Sequence, residues 1–414
     1  MQTEYYNITS VMKSPKAAWE AIEQRILPLP KESIPRAEAV GRVLAESVNA
    51  TVDMPQADVS AMDGYASAGE PVLGQPLPVT GVAAAGAPPL PALKDGDVVK
   101  IMTGAIVPPG ADRVIPVELS DGGHERVVFE RSEPVGRHIR WGGEVVATGD
   151  ELLPAGTVLR PATLSLLAGH GYAAASVHRT PTVAVLTTGD ELVPPEAEPG
   201  PGQLRDSNST FLLTAGLGLG LRFHHLGNAP DQPGALRDLI AQGLEHDVLL
   251  LSGGVSMGDY DLVEGVLDEL GCTALFDRVA IQPGKPLVAA VHERAQSSTG
   301  WVFGLPGNPG SVIVTFSLYV RPLLRRLMGY RDGLWQEAIP GVLTAELPAA
   351  KKRERYLPAV LEGHVNGFPG VRPLPPRGSH DVVAFALADA LVRIPAESPP
   401  TPAGERCEIM VLGR

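Results

Sequence analysis

The chain has 414 residues, 44% apolar and 20% charged, with a formal net charge of −13. That length predicts about three domains with more than one core, and the acidic balance excludes a broad nucleic-acid surface, which needs clustered Lys and Arg. The two cysteines, Cys272 and Cys407, lie far apart with no CxxC or His-rich neighbour. Neither a disulfide framework nor a zinc site is expected, and a reducing cytoplasm fits best. No apolar run approaches the ~20 residues that span a bilayer, and MQTEYYNITS lacks the basic and apolar regions of a secretory signal.

Residues 12–50 read as helical, with Ser14 before Pro15, apolar positions at Ala18, Ile22 and Ile26, and breaks at Pro28 and Pro30. From 51 to 145 the texture changes to short β-like pieces between Gly and Pro, such as QPLPVTGVAAAG, GDVVKIMTGA and RVVFERS, predicting an inserted β-rich lobe. Residues 146–178 hold a helical turn or two (ATLSLLAGHGY), so 1–50 and 146–178 are expected to form one discontinuous N-terminal domain.

From 179 to 332 strands and helices alternate: TVAVLTT, a helix capped by Asp206 or Ser207, RFHHLG, a second helix, DVLLLS, a third helix, WVFGL, and the long helix GSVIVTFSLYVRPLLRRLMG. Unbroken apolar strands alternating with helices predict a parallel sheet covered on both faces. In 333–414, KRERYLPAVLE, SHDVVAFALADALVRIP and CEIMVLG read as short strands of a small β-barrel.

In open α/β sheets, ligands bind beyond the carboxyl ends of the strands. Those ends carry Thr187, Thr188, Gly189, Asp190 and Glu191, then Asp231, then SGGVSMGDYD at 252–261, and later Lys285 in IQPGKPL and GLPGNPGS before the long helix. Glycines let backbone N–H groups approach an anion, hydroxyls add donors, and a helix N-terminus favours phosphate. Carboxylates beside such a site imply a bridging hard cation, with Mg²⁺ favoured. Each piece has a plain reading too, since Ser-Gly-Gly after a strand is usually a turn and Lys285 alone is an ordinary surface charge. The combination is what points to a site. GxGxxG as a strand-to-helix fingerprint and GxxxxGK[ST] are both absent, against dinucleotide and NTPase sites.

DVSAMDGYA (58–66), IMTGAIVPPGAD (101–112), TTGDEL (187–192), SGGVSMGDYD (252–261), QPGKPL (282–287) and GLPGNPGS (304–311) together resemble the molybdopterin molybdenumtransferase family, the MoeA family, related to the catalytic domain of gephyrin. The resemblance implies a four-domain chain forming a homodimer whose active site is shared between subunits. It also implies insertion of molybdate into adenylylated molybdopterin, with Mg²⁺-dependent hydrolysis releasing AMP. By correspondence, Asp58, Asp63 and Thr103 act from the partner subunit, and Glu191, Asp231 and Asp261 are acids of the α/β site and its metal ligands. Thr188, Gly189, Asp190, Ser252, Gly253, Gly254, Ser256, Lys285, Pro306, Gly307, Asn308 and Pro309 hold the substrate's phosphate and position it. Arg353 and Ser379 lie near the cleft.

Two departures from the family pattern stand out. Val145 follows Glu144 where an acidic residue is common, and Gln282 stands where a Lys often precedes the PGKP turn. The second removes a positive charge near the anion site, which predicts oxyanion binding weaker by ~1–2 kcal/mol. An adenylylating enzyme built on a similar α/β domain is the competing activity, and a protein-binding scaffold the non-enzymatic one. The additional N-terminal and β-rich regions disfavour the first, and the lack of a long linker or fused domain disfavours the second. Other molybdenum cofactor biosynthesis proteins are expected partners; nucleic acid and membrane are not.

Overall fold

The computed structural model describes residues 12–230, 232–253, 260–294, 299–332, 335 and 338–412, with the side chains of Tyr260 and Asp261 outside that description. The chain divides into two compact units: one takes the residues up to Ile34, Gly41–Ala45 and Ser176 onward, the other Pro35–Val40 and Glu46–Ala175.

The larger unit is built on a six-stranded sheet in the order His224–Ala229, Val183–Thr188, Val248–Ser252, Thr299–Leu305, Pro286–Glu293, Cys272–Arg278. The first four strands are parallel. Alternation of side chains across a strand sends Val183, Val185, Val248 and Leu250 to one face, where they pack with Leu212, Trp301 and Phe303. Ala184, Leu186, Leu249 and Leu251 go to the other, against Leu236, Ile240 and Val263. Each face is thus sealed by helices, which is why these strands read as unbroken apolar runs.

Asp206 settles the cap of the first helix of this unit's βα alternation, Ser207–Gly218, by accepting from the Ser209 amide at 3.0 Å. The long helix runs from Pro309 to Leu327 through a π-helical segment at Phe316–Val320.

The strands Ile339–Leu343, Glu354–Val365, Phe368–Pro373, Ala390–Ile394 and Arg406–Val411 close into a five-stranded barrel, because Glu354–Val365 pairs with both Phe368–Pro373 and Ala390–Ile394. Leu343, Leu357, Val371, Val392 and Ile409 fill it. The expected multidomain α/β-plus-barrel architecture therefore holds.

Three local expectations fail. Helix covers only Pro15–Glu23 of residues 12–50; beyond Pro28 and Pro30 the chain forms the strand Lys31–Pro35 and a short 3₁₀ turn. The stretch SHDVVAFALADALVRIP is not all strand, since Asp381 caps a short helix, Val382–Ala386, before the strand Ala390–Ile394. The sheet is also not wholly parallel, because Cys272–Arg278 and Pro286–Glu293 form an antiparallel hairpin at its edge. Their apolar residues face cores, but no regular helix-to-strand alternation announces them.

The smaller unit holds a five-stranded sheet in the order Arg113–Pro116, Gly64–Ser67, Val98–Ile101, Leu77–Ala83, Arg126–Val127. Ala66, Val99, Ile101 and Val114 pack on one face, Tyr65, Val98, Ile115 and Phe129 on the other. The same unit includes the helix Pro161–Gly169 and the strand pair Val48–Asn49 with Glu151–Leu153. Among the described residues no helix is long and apolar enough to cross a membrane.

Candidate functional site

Parallel pairing puts Thr188, Ala229, Ser252 and Leu305 at one edge of the large sheet. Because Pro286–Glu293 runs the opposite way beside Thr299–Leu305, its beginning lies at that same edge. Lys285 therefore joins the strand-end loops even though it precedes its strand rather than following it.

The loops are held tightly. Gly253 has φ +97°, and a Cβ there would stand 2.3 Å from the Thr188 carbonyl oxygen, so only glycine fits. Asn208, at the start of its helix, donates one side-chain amide to both Ser252 Oγ (3.1 Å) and the Gly307 carbonyl (2.7 Å). It ties the Ser252 loop to the Pro306–Pro309 turn. Asn228 donates to the Gly189 carbonyl at 2.9 Å. Thr188 is buried, and among the described residues its hydroxyl has no hydrogen-bond partner. Asp190 and Glu191 are exposed. A Cβ on Gly189 would lie 2.6 Å from Glu191 Oε2, so the missing side chain makes room for that carboxylate.

Beside these loops, between sheet edge and barrel, is a cleft of about 440 Å³ lined by Lys285, Pro306, Asn308, Arg353, Arg355 and Ser379 among others. Among the described residues its lining includes three cationic side chains and no carboxylate, in a chain whose net charge is −13. None of the three forms an ion pair with a described carboxylate. Arg353 is steadied by donating Nη1 to the Ile281 carbonyl (3.2 Å) and Arg355 by donating Nη1 to that of Ala349 (2.8 Å). Ser379 Oγ accepts from Asn308 Nδ2 at 2.8 Å, and the Ser379 carbonyl accepts from the Gly310 amide at 2.9 Å. Such a cleft favours a multiply charged oxyanion, with guanidinium groups able to bind it through paired donors.

In the smaller unit, Asp63 Oδ1 accepts from both the backbone N–H (2.7 Å) and the hydroxyl (2.8 Å) of Thr103. Those bonds, the backbone one first, hold its carboxyl below the ordinary range. Asp58 Oδ1 accepts from the Gly142 amide at 2.8 Å. Both belong to one corner, since Val59–Ser60 pairs with Ile139–Arg140 and the Gly104 amide reaches the Ser60 carbonyl. Glu144 accepts from the Trp141 amide, and Val145 is 70% exposed.

Asp231, Gly254 and Ser256 lie outside the described residues, as does the side chain of Asp261. Among the described residues no group of three or more His, Cys, Asp or Glu is arranged to hold a metal. The sequence reading missed Asn208, Asn228 and Arg355. Only Asn208, just inside the helix that Asp206 caps, carried a usable signal.

The chain matches the family models described as MoeA N-terminal region (domain I and II) over residues 13–171, probable molybdopterin binding domain over 184–326, and MoeA C-terminal region (domain IV) over 340–412. It is 35% identical to molybdopterin molybdenumtransferase 2 of Mycobacterium tuberculosis over 399 residues, covering 92% of this chain and 95% of that protein. With molybdopterin molybdenumtransferase of Haemophilus influenzae it shares 33% identity, covering 95% and 97%. The crystal structure of the molybdopterin biosynthesis MoeA protein from Pyrococcus horikosii resembles it with a TM-score of 0.82 and 31% identity, covering 97% of this chain and 99% of that one.

Proposed function

Because the chain belongs to the MoeA family of molybdopterin molybdenumtransferases, we propose that it inserts molybdate into adenylylated molybdopterin and releases AMP, the last step of molybdenum cofactor synthesis. The observation that carries this reading is the cleft at the carboxyl edge of the sheet, where Lys285, Arg353 and Arg355 converge. Molybdate is a tetrahedral dianion, and Lys285, Arg353 and the Ser379 hydroxyl supply charge and donors for it. The Gly253 loop and the Pro306–Pro309 turn, linked by Asn208, offer backbone amides to the substrate's phosphates. The matched regions flank the α/β domain on both sides, which favours this reading over adenylylation by an α/β domain alone.

In the overall change, molybdenum becomes bonded to the two dithiolene sulfurs as one molybdate oxygen leaves as water with the two thiol protons, while a second water adds across the phosphoanhydride and the P–O bond to AMP breaks. The chain's part is to hold oxyanion and phosphates in place and keep charge matched. In the proposed homodimer, Asp58, Asp63 and Thr103 of one protomer serve the cleft of the other, and Asp63 arrives ionised because Thr103 donates twice to it.

Mg²⁺ fits the donors assigned to it. Glu191, accommodated by the bare Gly189, is a hard oxygen ligand, and Mg²⁺ commonly takes one or two carboxylates plus substrate phosphates and water. Asp231 and Asp261 would complete the set. When bound, the ion stabilises negative charge developing on the phosphates. Other molybdenum cofactor biosynthesis proteins are proposed partners, and a cytoplasmic setting follows from this chemistry.

Purified protein mixed with adenylylated molybdopterin, molybdate and Mg²⁺ should release AMP only when molybdate is present. Asp58→Asn and Asp261→Asn should reduce that rate strongly. Molybdate-independent AMP release, or wild-type rates in both variants, would overturn the proposal. Pyrophosphate release from molybdopterin and ATP without molybdate would favour adenylylation instead.

A further inference from the structure

Gln282 takes the position where the family pattern often places a Lys, and on sequence alone the anion site loses a charge. In the fold, Ile281–Gln282 pairs in parallel with the start of the barrel strand Glu354–Val365, and the register sets Ile281 against Glu354 and Gln282 against Arg355. Neighbouring strands lie about 5 Å apart, and alternate residues point to opposite faces. Ile281 and Glu354 accordingly turn inward and are buried, whereas Gln282 and Arg355 both line the cleft.

We propose that Arg355 is an oxyanion-binding residue of this cleft, supplying from the facing strand the charge that Gln282 lacks. The inference rests on the cleft being the oxyanion site proposed above. Arg355 is suited to the role because Nη1 is anchored on the Ala349 carbonyl while no described carboxylate neutralises the guanidinium. Among the described residues its buried Nε has no hydrogen-bond partner. Arg355 thus joins Lys285 and Arg353 around one hollow. The ligand is a tetrahedral oxyanion, either free molybdate or a phosphate of the nucleotide substrate.

Direct titration of the full-length protein with molybdate, and separately with AMP, tests this in wild type, Lys285→Gln, Arg355→Gln, Arg355→Lys and the double variant Arg355→Gln with Gln282→Lys. Arg355→Gln should weaken one of the two ligands about tenfold, the scale of a lost charge-assisted hydrogen bond. Arg355→Lys should recover part of the loss, and Gln282→Lys in the Arg355→Gln background should recover most of it. That recovery cannot come from repair of a misfolded barrel, because the added charge sits on the other strand. Loss of molybdate affinity assigns Arg355 to the free oxyanion, and loss of AMP affinity alone assigns it to the nucleotide phosphate. If Lys285→Gln weakens molybdate but Arg355→Gln changes neither ligand, the role of Arg355 is overturned. If wild type binds no molybdate, or Lys285→Gln binds it normally, the underlying cleft assignment fails instead.

Discussion

Asp63 and Thr103 are joined by two hydrogen bonds that end on a single carboxylate oxygen, one from the amide at 2.7 Å and one from the hydroxyl at 2.8 Å. The pair straddles the two motifs of the smaller unit, SAMDG and IMTGA, and gives both a common purpose: an exposed carboxylate kept charged and aimed.

Thr103→Ala removes the hydroxyl bond and leaves the amide bond. The Asp63 carboxyl should then titrate higher than in wild type, yet still below its ordinary 3.8, as followed by carboxyl-carbon NMR. A carboxyl held low contributes stability above its ordinary value and loses it as pH falls through the lowered one. The local order of the 58–63 segment should therefore fail at a higher pH in Thr103→Ala. An unchanged titration would contradict the geometry.

Asp247 anchors the opposite edge of the large sheet. Arg179 donates to both its oxygens (2.6 and 2.8 Å), Thr182 donates its amide (2.8 Å) and hydroxyl (3.0 Å), and Arg294 adds a bond at 3.2 Å. Burial pushes this carboxyl up, but the Arg179 bonds and the Thr182 amide outweigh it and hold the pKa at about 2. Relative to an ordinary Asp this is worth about 2 kcal/mol, present above the ordinary pKa and lost as pH falls through about 2. Asp247→Asn should cost about 2–3 kcal/mol in urea unfolding at neutral pH, because it takes charge-assisted hydrogen bonds from two half-buried guanidinium groups. The acid limb of its stability curve should flatten.

Gly253→Ala forces a Cβ to within 2.3 Å of the Thr188 carbonyl at a φ of +97°. The loop must shift, at a cost of about 1–3 kcal/mol. AMP release should fall far more than melting temperature, since the strand end moves while both cores stay intact. Equal losses in activity and stability would mean the loop is structural only.

Gly310→Ala presses a Cβ against the Phe385 ring at 2.5 Å and the Ser379 carbonyl at 2.9 Å. Overpacking of this kind costs about 1–3 kcal/mol, and molybdate affinity should drop as Ser379 is displaced. Adding Phe385→Leu should restore part of both. Failure of that partial rescue would place the strain elsewhere.

The β-rich stretches, the βα alternation from residue 180 and the polar composition of the strand ends were all legible in the sequence. Each is a local signal: side-chain period, turn chemistry and capping act over a few residues and need no distant partner. The motifs carried the family for the same reason. What only the tertiary structure decided is which residues meet. Lys285 reaches the site because a hairpin reverses direction at the sheet edge, and Arg353, Arg355 and Ser379 reach it from a barrel that closes far along the chain. Asn208 bridges two loops 44 and 99 residues from it. Such meetings are set by register and packing between remote segments, and a one-residue slip would turn Arg355 inward and Glu354 into the cleft. The positive charge of this cleft is thus a property of strand pairing, written in no single stretch of the chain.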